Sequence, residues 1–165
     1  MKSKAAIGSH PIHPVLVPIP IGAFFLAFVG DIAFIRSPEG AFWLRFSSTC
    51  IAVGVAFALP AAAAGAVDYF SVKMSGSAFR TATWHALINL LVVALYTISF
   101  FLRRHDAATG GQARWPFAAV LAFAGFGLLA ISGWLGGRLA YEHRVGVLER
   151  PSAVPRQSDS ESVAS

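Results

Sequence analysis

The sequence predicts an all-α integral membrane protein, a four-helix bundle of up-down topology with a disordered C-terminal tail. Hydrophobic residues make up 56% of the 165 positions and charged residues only 13%, about half the charged share of an ordinary soluble domain. Four stretches carry no Asp, Glu, Lys or Arg: Ala5–Gly30, Phe46–Val67, Thr81–Leu102 and Trp115–Gly137. Each is long enough to cross a bilayer core, which takes roughly 20 apolar residues in a helix. The backbone there must be helical, because lipid offers no partner to an open N–H or C=O. A water-soluble fold of this size would also leave much of its 14 Phe exposed, since small domains bury a modest share of their surface.

The elements follow in order. Residues 1–14 form a polar leading segment containing His10-Pro11-Ile12-His13-Pro14, and residues 15–148 hold spans at approximately 15–35, 43–69, 79–103 and 115–140. Pro18 and Pro20 fall in the first turn of the first helix, where a missing N–H is tolerated. Ser37-Pro38-Glu39-Gly40 reads as a tight turn into the second helix, which Pro60 bends. Ser71–Ala78 is a short polar connection, and Asp106–Gln112, with Gly110-Gly111, is the next. Pro116 opens the fourth helix beside Trp115, an interfacial anchor. The serine-rich residues 149–165 lack the apolar side chains to build a core and are expected to be disordered. The first apolar run has no small-residue cleavage site at its end, so it is expected to remain as the first helix.

With alternating spans, Lys2, Lys4, Lys73, Arg80, Arg138, Arg144, Arg150 and Arg156 share one membrane side, while Arg36, Arg45, Arg103, Arg104 and Arg114 share the other. Eight against five is expected to place both termini in the cytoplasm. The basic residues flank apolar runs and form no stripe interleaved with exposed aromatics, so the net charge of +5 points to a lipid bilayer and not to nucleic acid. Cys50, the single cysteine, excludes an intramolecular disulfide or a cysteine metal cluster, and a packing role is expected for it.

Most polar residues gather on the side of the termini. His10 and His13 precede the first helix, Asp68 and Tyr69 end the second, His85 and Asn89 open the third, and Tyr141 and His143 follow the fourth. His105 and Asp31 lie opposite, at an end expected to be inert. His85 and Asn89, at i and i+4, share a helix face. The small residues Ala61–Ala64 with Gly65, and Gly133 with Gly137, permit close helix approach, which is expected to bring Asp68, His85 and Asn89 together. Prolines after His10 and His13 push both histidines onto extended backbone, with rings on one side roughly 9 Å apart if the segment is polyproline II. Taken singly, each of these residues can do no more than cap a helix or bind a headgroup. As a group converging at one end, they point to a site.

The segment His10-Pro-Ile-His-Pro-Val-Leu-Val-Pro-Ile-Pro-Ile-Gly22 resembles the opening motif of a bacterial membrane family catalogued as domain of unknown function 2231. Similar too are Asp31, Leu59-Pro60-Ala61 with Gly65 and Asp68-Tyr69, His85-Ala-Leu-Ile-Asn89, and Gly136-Gly137-Arg-Leu-Ala-Tyr141 with His143 and Val145-Gly146-Val147. The motifs run in order over almost all of His10–Val147, departing at Ala140, where the family pattern has valine. Some similar proteins carry an added Rieske-type iron–sulfur domain, which implies membrane redox chemistry; the single cysteine here cannot supply Rieske ligands.

Three functions fit these residues. One is a haem b or other redox subunit, with His85 as an axial ligand and His13 or His143 opposite. A second is a transition-metal site, or a small proton or metal transporter component, built from His10, His13, Asp68 and His85, with Asn89, Tyr69 and Tyr141 in support. The third is a cofactor-free assembly subunit that docks a partner at the polar end. A redox partner protein or a homodimer would complete the first two. No nucleophile elbow, phosphate loop or HExxH motif marks hydrolytic or other catalytic residues.

Overall fold

The computed structural model describes residues 4–7, 10–37, 39–109 and 112–145. The expected C-terminal tail lies outside them. A short hairpin leads the chain: β1 (Ala6–Ile7) pairs antiparallel with β2 (His10–Pro11). Five helices follow, α1 (Ile12–Leu16), α2 (Pro18–Arg36), α3 (Gly40–Ser71), α4 (Gly76–Thr109) and α5 (Trp115–Tyr141). The helices α1 and α2 form one span, Ile12–Arg36, and all four spans are long and apolar enough to cross a membrane. The fold is the expected up-down, all-α membrane bundle.

The helices exceed the apolar stretches because their polar ends stay helical. At about 1.5 Å per residue the 32 residues of α3 outrun the hydrocarbon core, so its ends reach the headgroups. Pro60 lies inside α3 and removes one ladder bond. The segment 106–109, expected in a loop, continues α4. Asp106 there accepts the backbone N–H of Arg114, the residue before α5, at 2.8 Å and so ties the end of α4 to the start of α5. At the first turn, Glu39 N–H donates to Ser37 Oγ at 3.1 Å.

The proline pattern of the first span has a different outcome from the one expected. His10 is extended, but His13 is helical, since α1 begins at Ile12. Pro14 then falls in the first turn, where its missing N–H costs no intrahelical bond. Val17 keeps helical dihedrals, and its N–H still donates to His13 O, so the chain runs through into α2. The two histidines therefore do not share a polyproline face.

The packing has an internal repeat. The hairpin α2–α3 and the hairpin α4–α5 hold the closest helix pairs. Residues 72 positions apart meet each other at three depths: His13 with His85, Phe24 with Tyr96, and Asp31 with Arg103. Contacts between equivalent residues are the signature of an axis relating two halves. Two hairpins of equal direction put that pseudo-two-fold axis along the membrane normal. The second helix of each half repeats too, with the offset one residue shorter. Gly54 faces the Phe24 ring as Gly125 faces the Tyr96 ring. The Phe24 and Tyr96 rings stack at 3.8 Å and 4° on the axis, within a core of Ala27, Ile51, Val92 and Ala122.

Near the end opposite the termini, Arg103 is 3% exposed and Asp31 0%. Arg103 Nη1 and Nη2 donate to Asp31 Oδ1 and Oδ2, both at 2.7 Å. Nη1 also donates to Ser47 Oγ at 3.2 Å and Nε to Ser99 Oγ at 3.2 Å. Ser47 donates to Asp31 Oδ1, and Ser99 to Ala118 O, both at 2.7 Å. One guanidinium thus links α2, α3, α4 and, through Ser99, α5. The end expected to be inert holds the most developed polar network among the described residues, and Arg103 is no loop charge.

Removing one partner of such a buried pair strands the other charge. Arg103→Ala is expected to cost about 3–5 kcal/mol, read as early thermal unfolding in detergent, with Arg103→Lys intermediate because it loses the two-pronged geometry. A Cβ on Gly54 would meet Phe24 Cε1 at 2.4 Å. Gly54→Ala should therefore lower the melting temperature, and adding Phe24→Leu should recover part of the loss.

Candidate functional site

The axis carries the histidines at the end of the bundle near the termini. His13 comes from α1 and His85 from α4, and their ring centres lie 6.3 Å apart with planes 88° to each other. The two side chains are held alike. His13 Nδ1 lies 2.7 Å from Ala61 O of α3. His85 Nδ1 lies 2.9 Å from Ser132 O of α5, with Ser132 Oγ at 3.0 Å.

Helix geometry explains why each seat needs a glycine. The carbonyl of residue i points toward residue i+4, to which it is bonded. A ring approaching Ala61 O or Ser132 O must therefore pass position 65 or 136. Both are Gly, and a Cβ there would stand 3.1 Å from His13 Nδ1 or His85 Cε1. Gly133 and Gly137, expected to make the close approach in α5, face nothing within 4 Å.

A carbonyl only accepts, so Nδ1 of each imidazole must carry the proton that bonds it. That leaves the Nε2 lone pair available on both rings. Asn89 Nδ2 lies 3.1 Å from His85 Nε2 and also donates to His85 O at 2.9 Å, so its two N–H groups meet two acceptors. His13 Nε2 has no hydrogen-bond partner among the described residues. An Nδ1–H anchored on a carbonyl is how proteins orient histidine for metal through the other nitrogen.

The remaining expected site residues serve the surroundings. Asp68 Oδ1 accepts the backbone N–H groups of Lys4 (2.7 Å) and Ala5 (3.0 Å). It thereby ties the hairpin segment to the end of α3, and a two-stranded hairpin needs such support. The expected meeting of Asp68 with His85 and Asn89 is replaced by this backbone contact. His10 lies in the exposed hairpin. His143 Nε2 comes within 3.5 Å of Thr81 Oγ1, and the Tyr69 hydroxyl lies 2.9 Å from Thr83 Oγ1. Tyr141 is 86% exposed. Among the described residues no three His, Cys, Asp or Glu side chains gather as a metal-holding group. The structure brings His13 and His85 together, with Asn89, Ser132 and Ala61 around them.

What sequence reasoning missed is the repeat itself. Its signal was present as the shared spacing of 13 with 85 and of 31 with 103. It is faint because few positions beyond the histidine and glycine seats, Phe28 with Phe100 and Phe46 with Phe117 among them, repeat as the same residue.

The model of the family "Predicted membrane protein (DUF2231)" matches residues 9–149, and the chain belongs to this family. No curated protein and no solved structure matches the chain.

The hydrogen-bond pattern assigns one tautomer to both axial histidines. Nitrogen-15 spectra of histidine-labelled protein in lipid should show His13 and His85 protonated at Nδ1 and unprotonated at Nε2. Asn89→Ala should shift the His85 Nε2 resonance and leave that of His13 nearly in place.

Proposed function

We propose that the protein is a metal-binding redox subunit of the membrane, with its metal held by His13 and His85. The observation that carries this reading is the pairing of two imidazoles on the pseudo-two-fold axis, each anchored through Nδ1, with Nε2 open on His13 and bonded to Asn89 on His85. Two imidazoles sharing one ion at about 2.0–2.1 Å have ring centres no more than about 6.5 Å apart, and the observed separation is 6.3 Å. The pair therefore suits ligands near opposite sides of one metal. Imidazole nitrogen favours zinc, copper, iron or nickel. Two protein ligands leave the other positions to water, a substrate or a porphyrin, and haem b would take the same two residues as axial ligands. Asn89 competes for the His85 lone pair and must turn aside when metal binds. A redox partner, or a second copy of the chain, would approach on this side of the membrane.

The protein is further proposed to sit in the bacterial inner membrane with both termini in the cytoplasm. Support comes from the excess of basic residues on that side. Arg103 is buried against Asp31 and drops out of the opposing set, which widens the margin.

Protein purified in mild detergent should contain transition metal, or show a Soret band if the metal is haem iron. His13→Ala and His85→Ala should each lose it, whereas Asn89→Ala should retain it or bind more tightly. Equal metal content in wild type and both histidine variants overturns the proposal. If those variants instead shed a co-purifying protein, the assembly role gains. For orientation, a C-terminal fluorescent reporter active only in the cytoplasm should fluoresce.

A further inference from the structure

The inner face of α4 reads His85, Asn89, Val92, Tyr96, Ser99 and Arg103, at alternating steps of four and three residues. Val92 and its core neighbours separate the histidine site from a second polar region around the Asp31–Arg103 pair. At that boundary lies Tyr96, fully buried. Among the described residues its hydroxyl has no hydrogen-bond partner. A buried hydroxyl without a partner is costly, and native structures seldom leave one so.

Packing does not explain the hydroxyl. The equivalent position in the other half is Phe24, seated against Gly54 as Tyr96 is against Gly125. The fold accepts phenylalanine in this seat, so the extra oxygen of Tyr96 is surplus to it. Tyr96 stands one turn from Ser99 on this face, and Ser99 Oγ accepts from Arg103 Nε at 3.2 Å, which brings the network to the level next to the tyrosine. The bonds of Arg103 use both N–H groups of Nη1 and one of the two on Nη2. The pair is net neutral, so a neutral ligand adds no buried charge, while the guanidinium opposes a cation.

We propose that a buried water is bound between the Tyr96 hydroxyl and the Asp31–Arg103 network, accepting or donating at Tyr96 Oη and completing the hydrogen bonds of the guanidinium. Such a water needs two to four polar partners, and Tyr96, Arg103 and Asp31 supply them. It makes the half of the bundle away from the termini a hydrated site within the membrane. This proposal is independent of metal at the histidine end.

The test uses the full chain in lipid nanodiscs, wild type and Tyr96→Phe. Infrared difference spectra between ordinary and oxygen-18 water isolate O–H stretches of bound water. Wild type should show a band of strongly hydrogen-bonded water that Tyr96→Phe loses or shifts, and the variant should melt a few degrees lower. Folding of the variant is checked by its helical circular dichroism, with the Phe24 seat as precedent. An identical water band in both proteins overturns the proposal whatever the melting temperature does. So does a variant that melts at or above the wild-type temperature, because a hydroxyl with no partner is stabilising to remove.

Discussion

The bundle depends on the ion pair between Asp31 and Arg103. A carboxylate and a guanidinium at membrane depth have no water to fall back on, so each must find the other. Their positions on α2 and α4 fix the depth of one hairpin against the other, and a shift by one helical turn would separate both charges. Two parallel hydrogen bonds add direction to the attraction. Ser47 and Ser99 then take two more of its N–H groups and carry the link to α3 and α5. Such a pair gives little net stability beyond what apolar residues would provide. What it supplies here is register.

Along the same axis the contacts change character with depth. Charge meets charge at one end, ring stacks on ring in the middle, and imidazole meets imidazole at the other end. The central stack, with Ile51 and Val92 around it, is a largely apolar septum that separates two polar regions. Glycine makes each close contact possible: Gly54 and Gly125 receive the stacked rings, and Gly65 and Gly136 receive the histidines. In lipid, where apolar side chains gain nothing by leaving solvent, this close fit is itself a main source of helix association.

The repeat also shows where the halves have parted. Histidine faces histidine, but phenylalanine faces tyrosine and aspartate faces arginine. Two like charges on an axis would repel in a medium of low dielectric, so opposite charges at this depth require halves that differ. The histidine end keeps the same residue in both halves, and a single metal on the axis is a ligand that two imidazoles can share. The hairpin before α1, tied down by Asp68, has no counterpart in the second half, which begins directly as helix at Gly76. Asymmetry at that end lies above the site and also within it, where Asn89 and the Ser132 hydroxyl attend His85 alone.

By itself the sequence determined the solvent, the number of spans, the family and the gathering of His13 and His85 at one end. These follow from local properties: uncharged runs of sufficient length, the obligation of a backbone in lipid to be helical, and an even count of spans. Motif order over His10–Val147 carried the family. It left undecided which polar side chains meet, because that depends on helix rotation and depth, quantities no local pattern encodes. Arg103 looked like a flanking loop charge because it follows a long apolar run and precedes another arginine; only its partner across the bundle makes it a buried residue. Asp68 looked like a ligand, yet the nearest unsatisfied donors were the amides of the leading segment. His13 looked extended because of Pro14, but the glycine seat and carbonyl of α3 lie where a helical His13 reaches them. Tertiary structure decided these cases because each buried polar group takes the partner that the assembled helices put within reach.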